Sequence, residues 1–242
     1  HSAINRILNE SKFEQELLEE KYIKKIKYVT NGQFKSLILD DTLNEKNGKH
    51  IEETQTYWDH SNNKFIKGHQ FFTAIIFTPI LFLPLFPKLY TKNTDSKIDM
   101  AKALIDEMIE KIGIDRVLFD SWYSDKEIIN KCITKKVDVV CAIKRNRKIS
   151  LKRNNWVSLK KFSADQDINN FRVYNIGNDK YKIRGYNVKL KGVPQIKMII
   201  SCEYGGKVKG WIEPFHLIST NPQIKSAEIV KIYKTRWVIE TF

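Results

Sequence analysis

Residues 97–143 switch twice between a helical and a strand-like pattern, and this alternation limits the fold more than any other feature of the chain. Ile98, Ala101, Ile105, Met108 and Ile112 recur with the 3.6-residue period of an amphipathic helix over 97–112. Ser96 can cap its start and Gly113 its end. Arg116-Val117-Leu118-Phe119-Asp120 follows, a short apolar run closed by an acid, as in a buried strand. Ser124 to Glu127 has the spacing of a capping box and predicts a helix to about Lys135. Val137 to Ile143 is a further buried strand. Helix, strand, helix and strand in succession call for parallel strands joined by crossovers, so the expected class is α/β with helices packed on a sheet.

The flanking segments extend that sheet. Residues 3–30 read as one helix or two, closed by Asn31-Gly32. Ser36-Leu37-Ile38-Leu39-Asp40 is a second apolar run ending in an acid. Residues 43–64 are polar and read as a loop with at most a short strand. Strands are expected at about 70–78 and 80–90, around a turn near Thr78-Pro79. Residues 144–213 are basic, rich in aromatic and β-branched residues and broken by Asn and Gly, and predict a small antiparallel unit. His216 to Thr220 is one more strand, and Ser226 is placed to cap a last helix from Ala227 to the end. The sum is a mixed sheet flanked by helices, the ribonuclease-H-like arrangement. The expected divisions are an N-terminal helical segment (1–32), the first part of the core (33–143), a β-rich insertion (144–213) and the last strand and helix of the core (214–242).

Composition narrows the partners. The chain has 242 residues and a net charge of +14. Such a surplus favours a polyanion, because clustered Lys and Arg displace counterions from phosphates. DNA, RNA and an anionic membrane surface all satisfy it, and so does a genome that favours lysine codons. The apolar stretch 71–87 is shorter than the ~20 residues of a spanning helix and carries Pro79, Pro84 and Pro87, so strands are expected and no membrane. Cys132, Cys141 and Cys202 show no paired spacing, which points to a reducing, cytoplasmic compartment. No P-loop, G-x-G-x-x-G or G-x-S-x-G motif is present, so no nucleotide cofactor and no serine hydrolase is expected. His60, His69 and His216 lack metal-motif spacing and read as structural. The chain starts at His1 and ends at Phe242 within a helical pattern, and reads as a fragment at both ends.

The two acid-terminated runs gain meaning together. If their strands are neighbours, Asp40 and Asp120 stand about 4.8 Å apart in the sheet. Two carboxylates that close repel unless a cation lies between them. Hard oxygen donors at that spacing suit Mg²⁺ or Mn²⁺, and a pair of such ions can activate one oxygen and stabilise another at a phosphodiester. Near the C-terminus Tyr233, Arg236, Trp237 and Glu240 follow at i, i+3, i+4 and i+7, on one helix face. A core stripe would be aliphatic; this one carries a phenol, an indole and a charge pair.

These motifs resemble, in order, those of insertion-sequence DDE transposases with a Y-(2)-R-(3)-E-(6)-K signature, the insertion-sequence-four-like class. Asp40-Asp41-Thr42 is similar to the D-x-T strand motif and Asp120-Ser121-Trp122-Tyr123 to the D-S-x-Y/F motif. Ile218 to Asn221, leading to Tyr233, Arg236, Trp237 and Glu240, is similar to the third. The resemblance covers about 33–242, and the lysine that completes the signature lies past Phe242. It implies that Asp40, Asp120 and Glu240 bind two Mg²⁺ ions, with Mn²⁺ as substitute. It also implies cleavage at transposon ends, joining of the freed 3′-OH to target DNA, and a homodimer on paired ends in a prokaryotic, nucleoid-associated setting. Tyr233, Arg236 and Trp237 would then face DNA. Asp41 stays open as the alternative to Asp40, since a one-residue slip exchanges them.

Lys144, Arg145, Arg147, Lys148 and Arg153, with Trp156 nearby, suit backbone contact and base stacking. A solvated basic loop explains each of them as well. Two other functional classes remain: a non-catalytic DNA-binding protein derived from a transposase, and a basic membrane-surface protein.

Overall fold

The computed structural model describes residues 14–241 except 49, 60–61, 94, 153–154 and 206–209. In chain order the elements are α1 (Gln15–Val29), β1 (Ser36–Glu45), β2 (Gln55–Asp59), β3 (Lys64–Phe77), β4 (Phe82–Pro84), β5 (Lys88–Tyr90), α2 (Lys97–Lys111), β6 (Arg116–Phe119), α3 (Lys126–Thr134) and β7 (Asp138–Ala142). Then come β8 (Lys148–Ser150), β9 (Trp156–Ser158), α4 (Leu159–Ala164), β10 (Arg172–Ile176), β11 (Asp179–Leu190), β12 (Val193–Gly205), β13 (Gly210–Trp211), β14 (Phe215–Ser219) and α5 (Ser226–Lys234). The chain closes on a 3₁₀ segment, Thr235–Thr241.

Among the described residues one sheet runs β2-β3-β1-β6-β7-β14-β12-β11-β8-β9. Its first five strands have the ribonuclease-H-like order: β1, β6 and β7 are parallel, while β3 and β2 form an antiparallel meander beside β1. Strands β1 and β6 are apolar because both faces are covered. Alternate residues serve different layers: Leu37, Leu39, Val117 and Phe119 pack toward α2 and α3, whereas Ile38, Leu118 and Val140 pack toward α5. Strands β10 to β12, from the expected insertion, continue this sheet. Strand β12 pairs with β14, which pairs with β7.

Several local expectations hold. Ser96 accepts from the Asp99 N–H at the start of α2, and Gly113 closes that helix at φ +75. The turn at Thr78 is fastened by its N–H and hydroxyl to Leu81. The three cysteines are free and buried. No helix among the described residues is long and apolar enough to cross a membrane.

Other expectations fail for identifiable reasons. Asp40 does not end its strand: β1 runs five residues further, as a polar ribbon whose partner is β3 from Asp41↔Phe72 to Glu45↔Gly68. The segment 43–64 holds the end of β1, then a loop, then the one short strand β2, so the expected loop is flanked by more strand than its polarity suggested. The strand expected at 70–78 is the last part of a 14-residue strand, and 80–90 holds two short strands. An antiparallel ladder supplies its own hydrogen bonds, so polar residues can occupy it without a hydrophobic run. Helix α3 is capped by Asp125 rather than Ser124, whose hydroxyl donates to the Ser121 carbonyl instead. Lys225 precedes α5 with no side-chain cap, and Ser226 is already helical. The last helix does not stay α to the end but tightens to 3₁₀ from Thr235. The antiparallel unit also holds a short helix, α4, capped by Ser158. Of the expected N-terminal helix, residues 3–13 lie outside the described residues, as does His60.

His216 in β14 is 2% exposed, and its Nε2 has no hydrogen-bond partner among the described residues. Burial, helped by the nearby Arg145 charge, pushes its pKa down to about 4. A base with a lowered folded-state pKa contributes stability that is complete above its free value near 6.5 and is lost as pH falls toward 4. The protein should thus lose about 3 kcal/mol over that window through this one group. Urea melts across that range should show a His216→Leu variant losing correspondingly less; equal losses would remove His216 from the acid sensitivity.

Candidate active site

The register of the two buried parallel strands sets the centre of the site. Ser36, Leu37 and Ile38 pair with Arg116, Val117 and Leu118, so two residues on, Asp40 comes level with Asp120. Asp120 follows the end of β6, and its Oδ1 accepts from the backbone N–H groups of Trp122 at 2.8 Å and Tyr123 at 3.4 Å. Those bonds turn the chain sharply and fix the carboxylate at the strand end. Asp40 stays within β1, where Thr73 of β3 is opposite and donates its hydroxyl to the Asp40 carbonyl at 3.1 Å.

The third acid arrives from the far end of the chain. Helix α5 packs Ile229, Val230 and Tyr233 against the sheet and delivers the 3₁₀ segment to β1. There Arg236 donates to Asp40 Oδ2 at 2.6 Å and to Glu240 Oε1 at 2.8 Å. The Arg236 side chain is 8% exposed, Asp40 21% and Glu240 41%, so the guanidinium is enclosed and Glu240 faces the opening. Asp40, Glu240, Thr42, Thr73, Leu85 and Ile239 line a cleft of about 360 Å³.

The electrostatics of Asp40 are those of a carboxylate short of positive charge. Its pKa is raised to about 6: burial is the largest cause, Arg236 and the Asp41 N–H oppose it, and the Asp120 and Asp41 charges add to it. Among the described residues no three His, Cys, Asp or Glu side chains form a ready-made metal cluster. One cation, Arg236, already bridges two of the acids. The donors themselves fit Mg²⁺ or Mn²⁺, since all three offer carboxylate oxygens and a half-buried pair of aspartates gains from added positive charge.

Asp41 turns to the other face. It accepts from Lys97 Nζ at 2.9 Å, from Gln70 Nε2, and from the Tyr123 hydroxyl at 3.2 Å. Lys97 is buried at the start of α2 with its Nζ 4.2 Å from the centre of the Trp122 ring. The motif after Asp120 is thereby tied to the residue after Asp40: Tyr123 bonds Asp41, and Trp122 covers the lysine that pairs with it. Sequence inspection missed Lys97. Its position on the buried stripe of α2, with Ala101, Leu104, Ile105 and Met108, was the available signal.

The other expected site residues scatter. Tyr233 is buried, its ring 5.8 Å from Phe215, and burial pushes its phenol well above the ordinary value. Trp237 is 54% exposed and lies 5.2 Å from the Arg236 guanidinium. Both line a separate cavity of about 510 Å³, bounded by β11, β12 and β14 rather than by β1 and β3. Lys144 and Lys148 are exposed, Arg145 pairs with Glu213 at 2.9 Å, and Arg147 donates to the Ser124 carbonyl at 2.6 Å. Arg147 thus serves the loop after Asp120 structurally. Arg153 lies outside the described residues.

This geometry coincides with a family match. The model of the transposase DDE domain matches residues 33–242. The chain belongs to that family. No curated protein matches it. Among solved structures, a piggyBac transposase synaptic complex with hairpin DNA is similar at 12% identity and a TM-score of 0.44, over 85% of this chain and 39% of that one. The DDE domain described here therefore spans well under half the length of that transposase.

Double-mutant cycles can test the two-faced arrangement of this DDE domain. Arg236 with Asp40, and Lys97 with Asp41, should each couple by about 1 kcal/mol or more in urea denaturation, whereas Arg236 with Asp41 should be additive within about 0.5 kcal/mol. A stronger coupling of Arg236 to Asp41 than to Asp40 would reverse the assignment of the faces.

Proposed function

We propose that this chain is the catalytic part of a DNA transposase that cleaves DNA at the ends of its element and joins the freed 3′-OH to target DNA. The observation that supports the reading is that Asp40 lies level with Asp120 and shares the Arg236 guanidinium with Glu240. The family match supplies the chemical class. The Y-(2)-R-(3)-E spacing of Tyr233, Arg236 and Glu240 supports the insertion-sequence class within it.

Asp40, Asp120 and Glu240 would hold the divalent ions, two Mg²⁺ or Mn²⁺. Such ions lower the pKa of an attacking water or hydroxyl and stabilise the departing oxygen. The chain's own residues do the rest. Asp41, Lys97 and Tyr123 keep β1 and the 120–123 loop in one geometry, so that the first two carboxylates stay level. Arg236 is the cation of the site in this structure, and a guanidinium bonds a phosphate as readily as it bonds carboxylates. On substrate binding it would exchange Glu240 for a phosphate oxygen and free that acid for its ion. Exposed Trp237, which lines the separate cavity, would meet a base or sugar. DNA, both element ends and target, is the partner of this reading, and paired ends call for a homodimer.

A cleavage assay on the element's own end sequences with Mg²⁺ or Mn²⁺ tests it. Asp40→Asn, Asp120→Asn and Glu240→Gln should each lower the cutting rate by roughly 10³-fold or more. Asp41→Asn should retain far more activity. Unimpaired cutting by all three variants would place the site elsewhere. Binding without cutting in the parent would favour a transposase-derived DNA-binding protein.

A further inference from the structure

Strand β11 carries Lys180, Lys182 and Arg184 at alternate positions, so the three side chains leave the same face of the sheet about 6.8 Å apart. Registers identify that face. Lys182 is opposite Cys202 and Arg184 opposite Ile200, which belongs to the layer packed toward α2 and α3. Neither helix reaches this end of β11, and Lys180 and Arg184 are exposed. Aromatic rings stand between the cations. Lys182 Nζ lies 4.9 Å from the centre of the Trp211 ring and Lys180 Nζ 5.9 Å from that of Tyr204. Tyr204 and Trp211 meet edge to face at 5.2 Å. Arg184 lies 5.6 Å from the Tyr186 ring. Among the described residues none of the three cations enters an ion pair, and the nearby acid Asp179 is engaged by Lys234.

Three unpaired cations in a row, interleaved with rings, are costly to assemble in a chain that is already strongly basic. Mutual repulsion opposes the arrangement, no acid among the described residues offsets it, and its polar tie to the fold is the bond that Lys182 Nζ donates to Asn169 Oδ1 at 3.3 Å. A polyanion with regularly spaced charges relieves that repulsion. The nucleic-acid backbone is such a polyanion, and the rings offer surfaces for sugar and base.

The position of the strip relates it to the acids. From Phe119, which precedes Asp120, paired residues lead through Cys141, Ile218 and Met198 to Tyr186. Beyond Tyr186, toward the end of the sheet on which Asp120 stands, come Arg184, Lys182 and Lys180. Four strand spacings separate β6 from β11, about 20 Å, or roughly six base pairs of duplex at 3.4 Å each. The strip leaves the α2/α3 face whereas Asp40 and Asp120 leave the α5 face, so a duplex that reaches both has to cross the end of the sheet.

We propose that Lys180, Lys182 and Arg184, with Tyr204 and Trp211, form a DNA-backbone contact surface that holds the duplex about six base pairs from the bond being cut. The distance rests on the transposase reading above; the contact itself does not. Binding of a 30-base-pair duplex of arbitrary sequence, measured in EDTA across a salt series, tests the contact without cleavage, the duplex length being a choice of roughly three helical turns. The combined Lys180→Gln, Lys182→Gln, Arg184→Gln variant should bind roughly 10-fold or more weakly. Its plot of log affinity against log salt should be shallower by about 2 to 3, near 0.9 per lost phosphate contact. Exchange of the two lysines for arginine should keep the parental slope, which separates lost charge from lost folding. An unchanged slope in the glutamine variant, with the parental melting temperature, overturns the proposal.

Neutral methylphosphonate linkages stepped inward from the cut then test the distance. Substitution near the sixth base pair should weaken the parent and leave the glutamine variant unaffected. If both respond alike at every position, the strip does not hold the duplex at that place. Failure of cleavage in every assay, with the slope still altered in the variant, would discard the transposase chemistry and leave the DNA contact standing.

Discussion

The parallel pairing of β1 with β6 is the constraint from which the site follows. Leu37, Ile38 and Leu39 on one strand, and Val117, Leu118 and Phe119 on the other, have no exposed surface. A strand covered on both faces admits polar side chains only where the cover ends. Asp40 and Asp120 stand at that limit, at the same level, because three residue pairs before them are locked in register. Strand alternation then sends Asp40 and Asp41 to opposite faces, so neighbours in sequence do different work. One joins Arg236 and Glu240; the other anchors Lys97 and Tyr123.

This division explains how a buried acid pair is tolerated. Each aspartate that leaves water is met by a cation from a helix or helical segment lying on its own face. Arg236 approaches over the α5 layer and Lys97 over the α2 layer. The two ion pairs also fix where α2 and the C-terminal segment sit against β1. Only the Arg236 side is open to exchange, for Glu240 is partly exposed whereas Lys97 is enclosed beneath Trp122.

Much of this was legible in the sequence, and the failures have a common cause. The apolar runs that lead to Asp40 and Asp120 and the period of α2 were readable because hydrophobic burial leaves a local pattern, whereas Glu240 was singled out by the spacing of its motif. The second half of β1 and all of β2 were not, because a polar ribbon is stabilised by a partner far along the chain. Ser124 and Ser226 were plausible caps. Asp125, one residue from the first, took its helix instead, and the second became the first helical residue. The helix face of Tyr233, Arg236, Trp237 and Glu240 was drawn with an α period, but the segment tightens after Thr235. Its residues consequently diverge: Tyr233 and Arg236 go inward, Trp237 and Glu240 outward. Lys97 was hidden by its charge, which argued against a buried position that only Asp41 makes acceptable.

The sheet beyond β7 has a consequence for how such a chain can change over generations. Strand β14 is held on one side by β7 and on the other by β12, so its core residues Leu217 and Ile218 are sealed between two ladders. Excision of residues 144–213 would leave β14 with an open, apolar edge, ready to pair with another molecule. The segment is therefore bound into the sheet it extends: its loss would cost solubility by exposing that edge. Tolerated length changes are left to the hairpin tips, such as those at Gly177 and Gly192, where the ladder has already ended.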